Sequence, residues 1–214
     1  MAKSPEIIFE DEAILVVDKP PGWLTIPTPD KKGPVLTDYL TGVLSKRGLS
    51  VKAHPCHRLD YETSGVVIYA KGKRIQQVIM KQFQEGRVKK KYLAVAEGQL
   101  TRPQGELKSY ICDRTYGKEP RLAVTRYRIV EKYSKFTLVE VEPATGRTNQ
   151  IRIHFRQLGY PLVGDRRFGL KRKIAIKFSR TALHAAEISF IHPTTRQPLH
   201  FTAPMPEDLK QLIY

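Results

Sequence analysis

The chain has 214 residues, of which 41% are hydrophobic and 27% are charged, as in ordinary soluble globular proteins. Its 37 lysines and arginines outnumber 21 aspartates and glutamates, and the formal net charge of +16 predicts a polyanionic partner, either nucleic acid or an acidic membrane. The sequence has no apolar run of about 18 residues and no strong basic amphipathic helix, which argues against membrane association and favours nucleic acid.

The spacing of the apolar residues predicts short strands and amphipathic helices. In chain order, these are a strand hairpin at 7–9 and 13–18, a helix at 35–46, a strand at 66–70, a helix at 73–85, strands at 92–96, 121–131 and 136–141, a helix at 148–158, and strands at 186–191 and 199–202. Strands dominate and short turns join many of them, so we predict an α+β fold with a mixed, mainly antiparallel sheet and peripheral helices. Because no long linker interrupts the chain, residues 1–214 are predicted to form a single domain.

Asp60 lies in residues 57–65, His-Arg-Leu-Asp-Tyr-Glu-Thr-Ser-Gly, directly before the predicted strand at 66–70. A Thr-Ser-Gly turn followed by a buried strand predicts a tight, anchored loop, which is how a scaffold presents a reactive group. The same spacing is typical of a turn-forming aspartate that bonds its own backbone. From the spacing alone, both interpretations stay open.

The two cysteines, Cys56 and Cys112, do not suggest a disulfide framework in a chain of this size. Reduced thiols in a cytoplasmic protein fit best. His54, Cys56 and His57 lie close together, but their spacing is unusual for zinc ligands and no second ligand pair completes the set. We therefore predict no metal site.

Residues 57–65 closely resemble the catalytic motif of the RluA-type pseudouridine synthases, which isomerise selected uridines in RNA. Other blocks resemble motifs of the same family, occur in the family order and span most of the chain. They are residues 14–22, with a strand and a Lys-Pro-x-Gly turn; residues 90–94, with a tyrosine; residues 145–152, with two arginines; and residues 183–185 followed by 192–193, which resemble its C-terminal signature.

The resemblance implies a sheet with a central catalytic cleft and a reaction that needs no cofactor. The implied partner is ribosomal or transfer RNA, with no obligatory protein partner. Many family members also carry a small N-terminal RNA-binding module. The first predicted strand begins by residue 7, so we expect no separate module before it.

The resemblance assigns three side chains to the chemistry. Asp60 is the nucleophile or the base that starts the cleavage, Arg152 pairs with this aspartate, and Tyr92 stacks on the target base. From the residues alone, Arg152 fits better as a solvent-facing helix arginine. Tyr92 fits a core tyrosine with a satisfied hydroxyl group, which is the commoner place for a strand tyrosine.

Further residues are implied in RNA binding. Arg58 matches the arginine that enters the RNA stack in place of the extruded nucleotide, although a local ion pair with Asp60 or Glu62 would look the same. Leu183 matches an apolar residue under the uracil, although a plain core leucine would look identical. The other candidates for RNA contact are His57, Arg147, Lys90 and Lys91.

Two basic clusters are candidate phosphate contacts. The first comprises Arg87, Lys89, Lys90 and Lys91, and the second comprises Arg166, Arg167, Lys171, Arg172, Lys173, Lys177 and Arg180. Solvated surface is the alternative for both.

Asn149 stands where many family members have histidine. An amide can keep a structural hydrogen bond at this position but cannot transfer a proton.

Two rival functions share these features. An RNA-binding protein that had lost catalysis would have the same basic surface, but Asp60, Tyr92 and Arg152 are all present. A metal-dependent nuclease would use Asp60 and Glu62, yet two-metal chemistry needs several convergent carboxylates, and no such cluster is evident in the sequence.

Overall fold

The structure, a computed structural model, describes residues 3–28, 33–112, 119–169 and 176–214. The elements in these residues are β1 (Glu6–Glu10), β2 (Ile14–Lys19), α1 (Leu36–Lys46), β3 (Ala53–Pro55), β4 (Ser64–Lys71), α2 (Lys73–Gln84), β5 (Lys89–Glu97), β6 (Gln104–Cys112), β7 (Pro120–Lys132), β8 (Phe136–Pro143), α3 (Gln150–Gln157), β9 (Leu183–Ile191), β10 (Pro198–Thr202) and α4 (Glu207–Ile213). The chain divides into two compact units. The first comprises Met1–Lys89 and Ala185–Pro204, and the second comprises Lys90–His184 and Met205–Tyr214.

The first unit contains strands in the order β1-β2-β4-β9, with β3 beside β4 and β10 beside β9. Strands β2 and β4 are almost continuously apolar and buried, as expected for strands covered on both faces. Helix α2 packs Ile79 into the core that these strands form with β9 and β10. Helix α1 buries Leu36, Leu40 and Leu44, which recur every four residues on one face.

The second unit contains β5-β8-β7-β6, in which neighbouring strands are antiparallel. Helix α3 packs Ile151 and Phe155 against the apolar face of this sheet, together with Leu162 and Leu183. The C-terminal helix α4 adds Leu209 and Ile213 to a neighbouring cluster. The prediction of an α+β fold with a mainly antiparallel sheet is confirmed. Among the described residues, no helix is long and apolar enough to cross a bilayer.

The predicted strands and helices are present, but β6, β3 and α4 were not predicted. Strand β6 alternates exposed residues such as Glu106 and Lys108 with half-buried ones, so its sequence has no apolar run that would indicate a strand. In α1, Tyr39 is 38% exposed and lies edge-on against Trp23 with ring centroids 5.4 Å apart. The buried face of α1 passes through residues 36, 40 and 44, and position 39 lies beside it.

Gly65→Ala is expected to lower the free energy of unfolding by about 3 kcal/mol or more. A methyl group at Gly65 would lie 2.1 Å from the Ala185 carbonyl oxygen, and the glycine has a φ of +112°, which other residues rarely adopt. Urea unfolding followed by circular dichroism measures the change. Gly42→Ala is the control, because no atom lies within 4 Å of the added methyl group in α1 and alanine favours the helix. Equal stability of the two variants would contradict the prediction.

Candidate active site

The backbone on the N-terminal side of Asp60 is held by a buried hydroxyl group. Thr25 Oγ1 accepts a hydrogen bond from the Leu59 N–H at 3.2 Å and donates one to the Leu59 carbonyl at 3.0 Å. Both residues are buried, and the Thr63 N–H closes the turn onto the Asp60 carbonyl at 3.1 Å. The segment that precedes the half-buried Asp60 is therefore fixed by a residue 34 positions earlier.

Thr25 is in turn fixed by β4 and α1. Its carbonyl accepts hydrogen bonds from the Tyr69 hydroxyl at 2.9 Å and the Thr37 hydroxyl at 2.7 Å. Burial raises the pKa of Tyr69, so this phenol stays protonated and can donate. The segment around Thr25 thus connects the Asp60 loop to two regular elements.

The C-terminal side of Asp60 is held by Lys19, which is fully buried. The Lys19 ammonium donates to the carbonyls of Pro20, Trp23 and Tyr61 at 3.1, 3.0 and 3.4 Å. The Gly22 N–H also donates to the Tyr61 carbonyl at 2.9 Å. The Lys-Pro-x-Gly turn therefore clamps the residue that follows Asp60. The sequence marked this turn by resemblance but assigned Lys19 no role.

His57 and Arg58, both predicted to contact RNA, differ in their surroundings. His57 Nε2 accepts a hydrogen bond from the Ile68 N–H at 3.1 Å, and its ring centroid lies 4.9 Å from that of Phe83. These contacts hold the loop against β4 and α2. Arg58 is exposed. Contact with RNA stays a prediction for both residues.

In the second unit, Lys90 and Tyr92 project from the same face of β5 because they are two residues apart. Tyr92 is half-buried beside the core under α3. The Lys90 ammonium donates to the Thr145 carbonyl at 3.3 Å, and burial lowers the pKa of Lys90 to about 8. Lys90 therefore contacts the loop that carries the arginine motif.

Lys91 projects from the opposite face of β5. Its ammonium lies 3.3 Å from a carboxylate oxygen of Glu140, and Arg128 contacts the other oxygen of that carboxylate at 3.2 Å. Lys91 is thus part of an ion-pair row across β5, β8 and β7. The two neighbouring lysines have different surroundings, although the sequence treated them alike.

The loop of the arginine motif is anchored by Gln150, which is 4% exposed. Its amide oxygen accepts hydrogen bonds from the Thr145 hydroxyl at 2.6 Å and the Arg147 N–H at 3.0 Å. Its amide nitrogen donates to the Val124 carbonyl and the Thr125 hydroxyl, both at 2.9 Å. Gln150 thus fastens this loop to β7.

Arg147 Nε donates to the Leu122 carbonyl at 3.3 Å, so its side chain lies along β7. Leu183 is 5% exposed and packs with Ala94, Ile151 and Phe155. These surroundings fit a core leucine, and contact with a uracil stays a prediction. The Leu183 carbonyl also accepts a hydrogen bond from Arg180 at 3.3 Å.

Arg152 is 9% exposed, so the alternative of a solvent-facing helix arginine is wrong. Its Nε and Nη2 donate to the two carboxylate oxygens of Asp165 at 2.7 and 2.8 Å. Nη1 donates to Asn149 Oδ1 at 2.9 Å, and the guanidinium lies over the Phe168 ring at 5.0 Å. The pairing of Arg152 with Asp60 stays a prediction.

Burial by itself would raise the pKa of Asp165, but the hydrogen bond from Arg152 and those from the Phe168 and Arg167 N–H groups outweigh it. The pKa of Asp165 is therefore held below its ordinary value. Asp165 is ionised at neutral pH and forms a charge-assisted pair with Arg152. The local sequence around Asp165 did not indicate this contact.

Arg180 was a candidate phosphate contact in the second basic cluster, but its side chain is internal. It is 5% exposed and donates from Nε and Nη2 to the carboxylate of Asp208 at 2.6 and 2.9 Å. It is therefore an internal ion-pair residue that joins α4 to the start of β9. Arg166, Arg167 and Lys177 are exposed. Lys171, Arg172 and Lys173 lie outside the described residues.

Across the described ranges, no group of three or more His, Cys, Asp or Glu side chains is arranged to hold a metal ion. Cys56 and His57, which were considered as zinc ligands from their closeness in the sequence, have other surroundings in the structure. Burial raises the pKa of the Cys56 thiol to about 12, which keeps it protonated. His57 Nε2 accepts a backbone hydrogen bond.

The sequence is similar over nearly its whole length to bacterial proteins. It is 34% identical to the uncharacterized RNA pseudouridine synthase YlyB of Bacillus subtilis, with 97% of this chain and 71% of the relative covered. It is 34% identical to ribosomal large subunit pseudouridine synthase D of Xylella fastidiosa, over 97% of this chain and 68% of the relative. It is 35% identical to the dual-specificity RNA pseudouridine synthase RluA of Vibrio cholerae, over 88% of this chain and 78% of the relative.

Two solved human structures have a similar fold. Human RNA pseudouridylate synthase domain containing 4 has a TM-score of 0.80 at 23% identity, over 97% of this chain and 91% of that one. Human RNA pseudouridylate synthase domain containing 1 has a TM-score of 0.76 at 25% identity, over 98% and 87%. Residues 13–157 match the family model described as RNA pseudouridylate synthase. The chain therefore belongs to the RNA pseudouridylate synthase family, whose members are isomerases that convert uridine in RNA to pseudouridine.

Proposed function

We propose that this chain isomerises uridines of ribosomal or transfer RNA, and that Asp60 is the catalytic carboxylate. The observation that carries the proposal is the double support of the Asp60 loop, by Thr25 before it and by Lys19 after it. A surface turn does not require a buried hydroxyl group and a buried ammonium. A carboxylate that must meet a reacting atom does require such fixed geometry.

The proposed reaction breaks the bond between uracil nitrogen one and the anomeric carbon and forms a bond from carbon five to the same anomeric carbon. Nitrogen one gains a proton and carbon five loses one, so no electrons and no phosphate are exchanged. Asp60 can act as a carboxylate without a prior base. It starts the reaction by attack on the anomeric carbon, by attack on carbon six, or by removal of a ribose proton.

Arg152 and Tyr92 complete the proposed chemistry. A guanidinium paired with Asp60 favours the charged carboxylate in a site from which RNA has excluded water. The Tyr92 ring stacks on the detached uracil and helps remove the proton from carbon five. Residues 1–214 act as a single catalytic domain in this proposal.

The proposed RNA contacts use different chemistry at different positions. The exposed Arg58 fills the stack that the extruded uridine leaves, because a planar guanidinium can stack on bases and contact phosphate. Leu183 packs under the uracil, and His57, Arg147, Lys90 and Lys91 lie along the RNA. The names of the relatives favour large-subunit ribosomal RNA or a dual specificity. Such substrates place the enzyme in the cytoplasm.

Incubation of the full chain with ribosomal and transfer RNA transcripts that carry tritium at carbon five of uridine tests the proposal. We expect tritium release that needs no nucleotide or added metal and is unchanged by a chelator. Gel electrophoresis should show RNA of unchanged length, and the transcript that loses tritium identifies the substrate class. RNA binding without release from any transcript would indicate an RNA-binding protein, and cleavage that the chelator stops would indicate a nuclease.

A further inference from the structure

The guanidinium of Arg152 is held by a frame of second-unit residues. Arginine has a long side chain with many rotamers, so an unsupported guanidinium samples many directions. Asp165 removes this freedom, because its two oxygens receive Nε and Nη2 at 2.7 and 2.8 Å. A bidentate pair of this kind fixes the plane of the guanidinium as well as its position.

Asn149 supplies the third contact of the frame, from Oδ1 to Nη1 at 2.9 Å. Asn149 has φ 56° and ψ 20° and immediately precedes α3. This left-handed conformation is uncommon for residues other than glycine, and asparagine is among the few that adopt it readily. The backbone at 149 thus brings the amide oxygen to Arg152, three residues later. Phe168 covers one face of the guanidinium.

Asp165 is itself rigid. Its side chain has no exposed surface, and Oδ1 also accepts hydrogen bonds from the N–H groups of Arg167 and Phe168 at 3.0 and 2.9 Å. The pair of Arg180 and Asp208 differs, since the Asp208 side chain is 37% exposed and belongs to helix α4. The carboxylate of Asp165 is therefore held in one position and can fix the position of the guanidinium that it binds.

We infer that Asp165 and Asn149 are positioning residues that fix the guanidinium of Arg152 in the orientation that the isomerisation requires. The inference rests on the proposed function. A guanidinium has five N–H donors, and the contacts with Asp165 and Asn149 engage three of them. These contacts are therefore compatible with the proposed pairing of Arg152 with the catalytic carboxylate.

Asp165→Asn tests the frame, because it places an amide N–H₂ group against guanidinium donors and removes the charge. We expect the single-turnover rate of tritium release to fall about 10- to 100-fold, with the dissociation constant for RNA unchanged within about two-fold. Asp208→Asn is the matched control, since it weakens the bidentate pair between Arg180 and Asp208 in the same unit. The control should lower the melting temperature but leave the rate unchanged. An equal loss of rate in both variants would overturn the inference.

Asn149→Gly provides a second test that does not depend on the stability of Asp165→Asn. Glycine keeps the left-handed backbone without strain and removes only the amide oxygen. We expect about a 3- to 10-fold slower rate and unchanged RNA binding. Wild-type rates in this variant and in Asp165→Asn would overturn the inference, and if Asp165→Asn does not fold, the rate of Asn149→Gly decides.

The Nε–H resonance of Arg152 in a ¹H–¹⁵N spectrum without RNA gives a readout that is independent of activity. In the wild-type chain it should be resolved and slow to exchange, and it should broaden in Asp165→Asn but not in Asp208→Asn. If the wild-type chain releases no tritium, the proposed function fails whatever the spectrum shows. If the wild-type chain is active and the resonance is the same in all variants, the inference about positioning fails and the function stands.

Discussion

Asp60→Asn is expected to lower the rate of tritium release from carbon five by about 10⁴-fold or more, while the dissociation constant for RNA stays within about two-fold. The amide has the same shape and can still form hydrogen bonds, but it lacks the negative charge that an attacking carboxylate or base requires. Thr25 and Lys19 hold the backbone around position 60, so the variant should keep the loop in place. Single-turnover tritium release and filter binding on the same RNA measure the two quantities.

Asp38→Asn is the control for the loss of one negative charge. Asp38 is exposed in the first turn of α1, within the same unit, and its substitution should leave both the rate and the binding unchanged. Turnover by Asp60→Asn at the wild-type rate would remove Asp60 from the chemistry. Loss of RNA binding together with the rate would instead assign Asp60 a role in holding RNA.

Lys19→Met is expected to lower both stability and rate. Methionine fills a similar volume but leaves the carbonyls that the ammonium holds without that donor, at a cost of about 1–3 kcal/mol for each buried acceptor that stays unsatisfied. A total of about 3 kcal/mol corresponds to a melting temperature lower by about 6–12 °C. Because the Tyr61 carbonyl directly follows Asp60, a shift of about 1 Å in this loop would slow the reaction by about 10²-fold. Calorimetry and single-turnover rates below the melting transition measure these effects.

Lys71→Met is the matched control for Lys19→Met. The Lys71 side chain is 9% exposed and pairs with Glu10 at 2.8 Å, and Lys71 lies at the far end of β4 from the Asp60 loop. Its substitution should lower stability but leave the rate of the folded fraction unchanged. If folded Lys19→Met reacts at the wild-type rate, the clamp stabilises the fold without positioning the carboxylate.

The fold class was predictable because the core strands are encoded locally. The run around Val66 is apolar enough to indicate a buried strand, and the flanking glycines and turns mark its ends. Strand β6 was missed because exposed Glu106 and Lys108 alternate with residues that are only half-buried. Such a strand depends on pairing with β7 rather than on burial, and pairing leaves little trace in a local pattern.

The support of the candidate site was less predictable than the site itself. The contacts of Thr25 with Leu59 and of Arg152 with Asp165 join residues 34 and 13 positions apart, and each partner is an ordinary residue in its own segment. The contact of Asn149 was equally hard to predict from the sequence. The sequence marked it only as a departure from histidine, whereas the structure gives it a left-handed backbone and a contact with Arg152. Polar contacts between distant residues follow no periodic sequence pattern, so a single sequence does not reveal them.

The double clamp around Asp60 also bears on how a substrate is chosen. Because the loop on both sides of Asp60 is fixed before RNA binds, the carboxylate cannot move far toward the target nucleotide. The RNA must therefore deform to bring its uridine to Asp60. Turning a uridine out of a helix costs a few kcal/mol, and least where the base is poorly paired. Among uridines of equal access, those in loops, bulges and weak pairs should therefore be converted first, and a stiffer hairpin around the same uridine should be a poorer substrate.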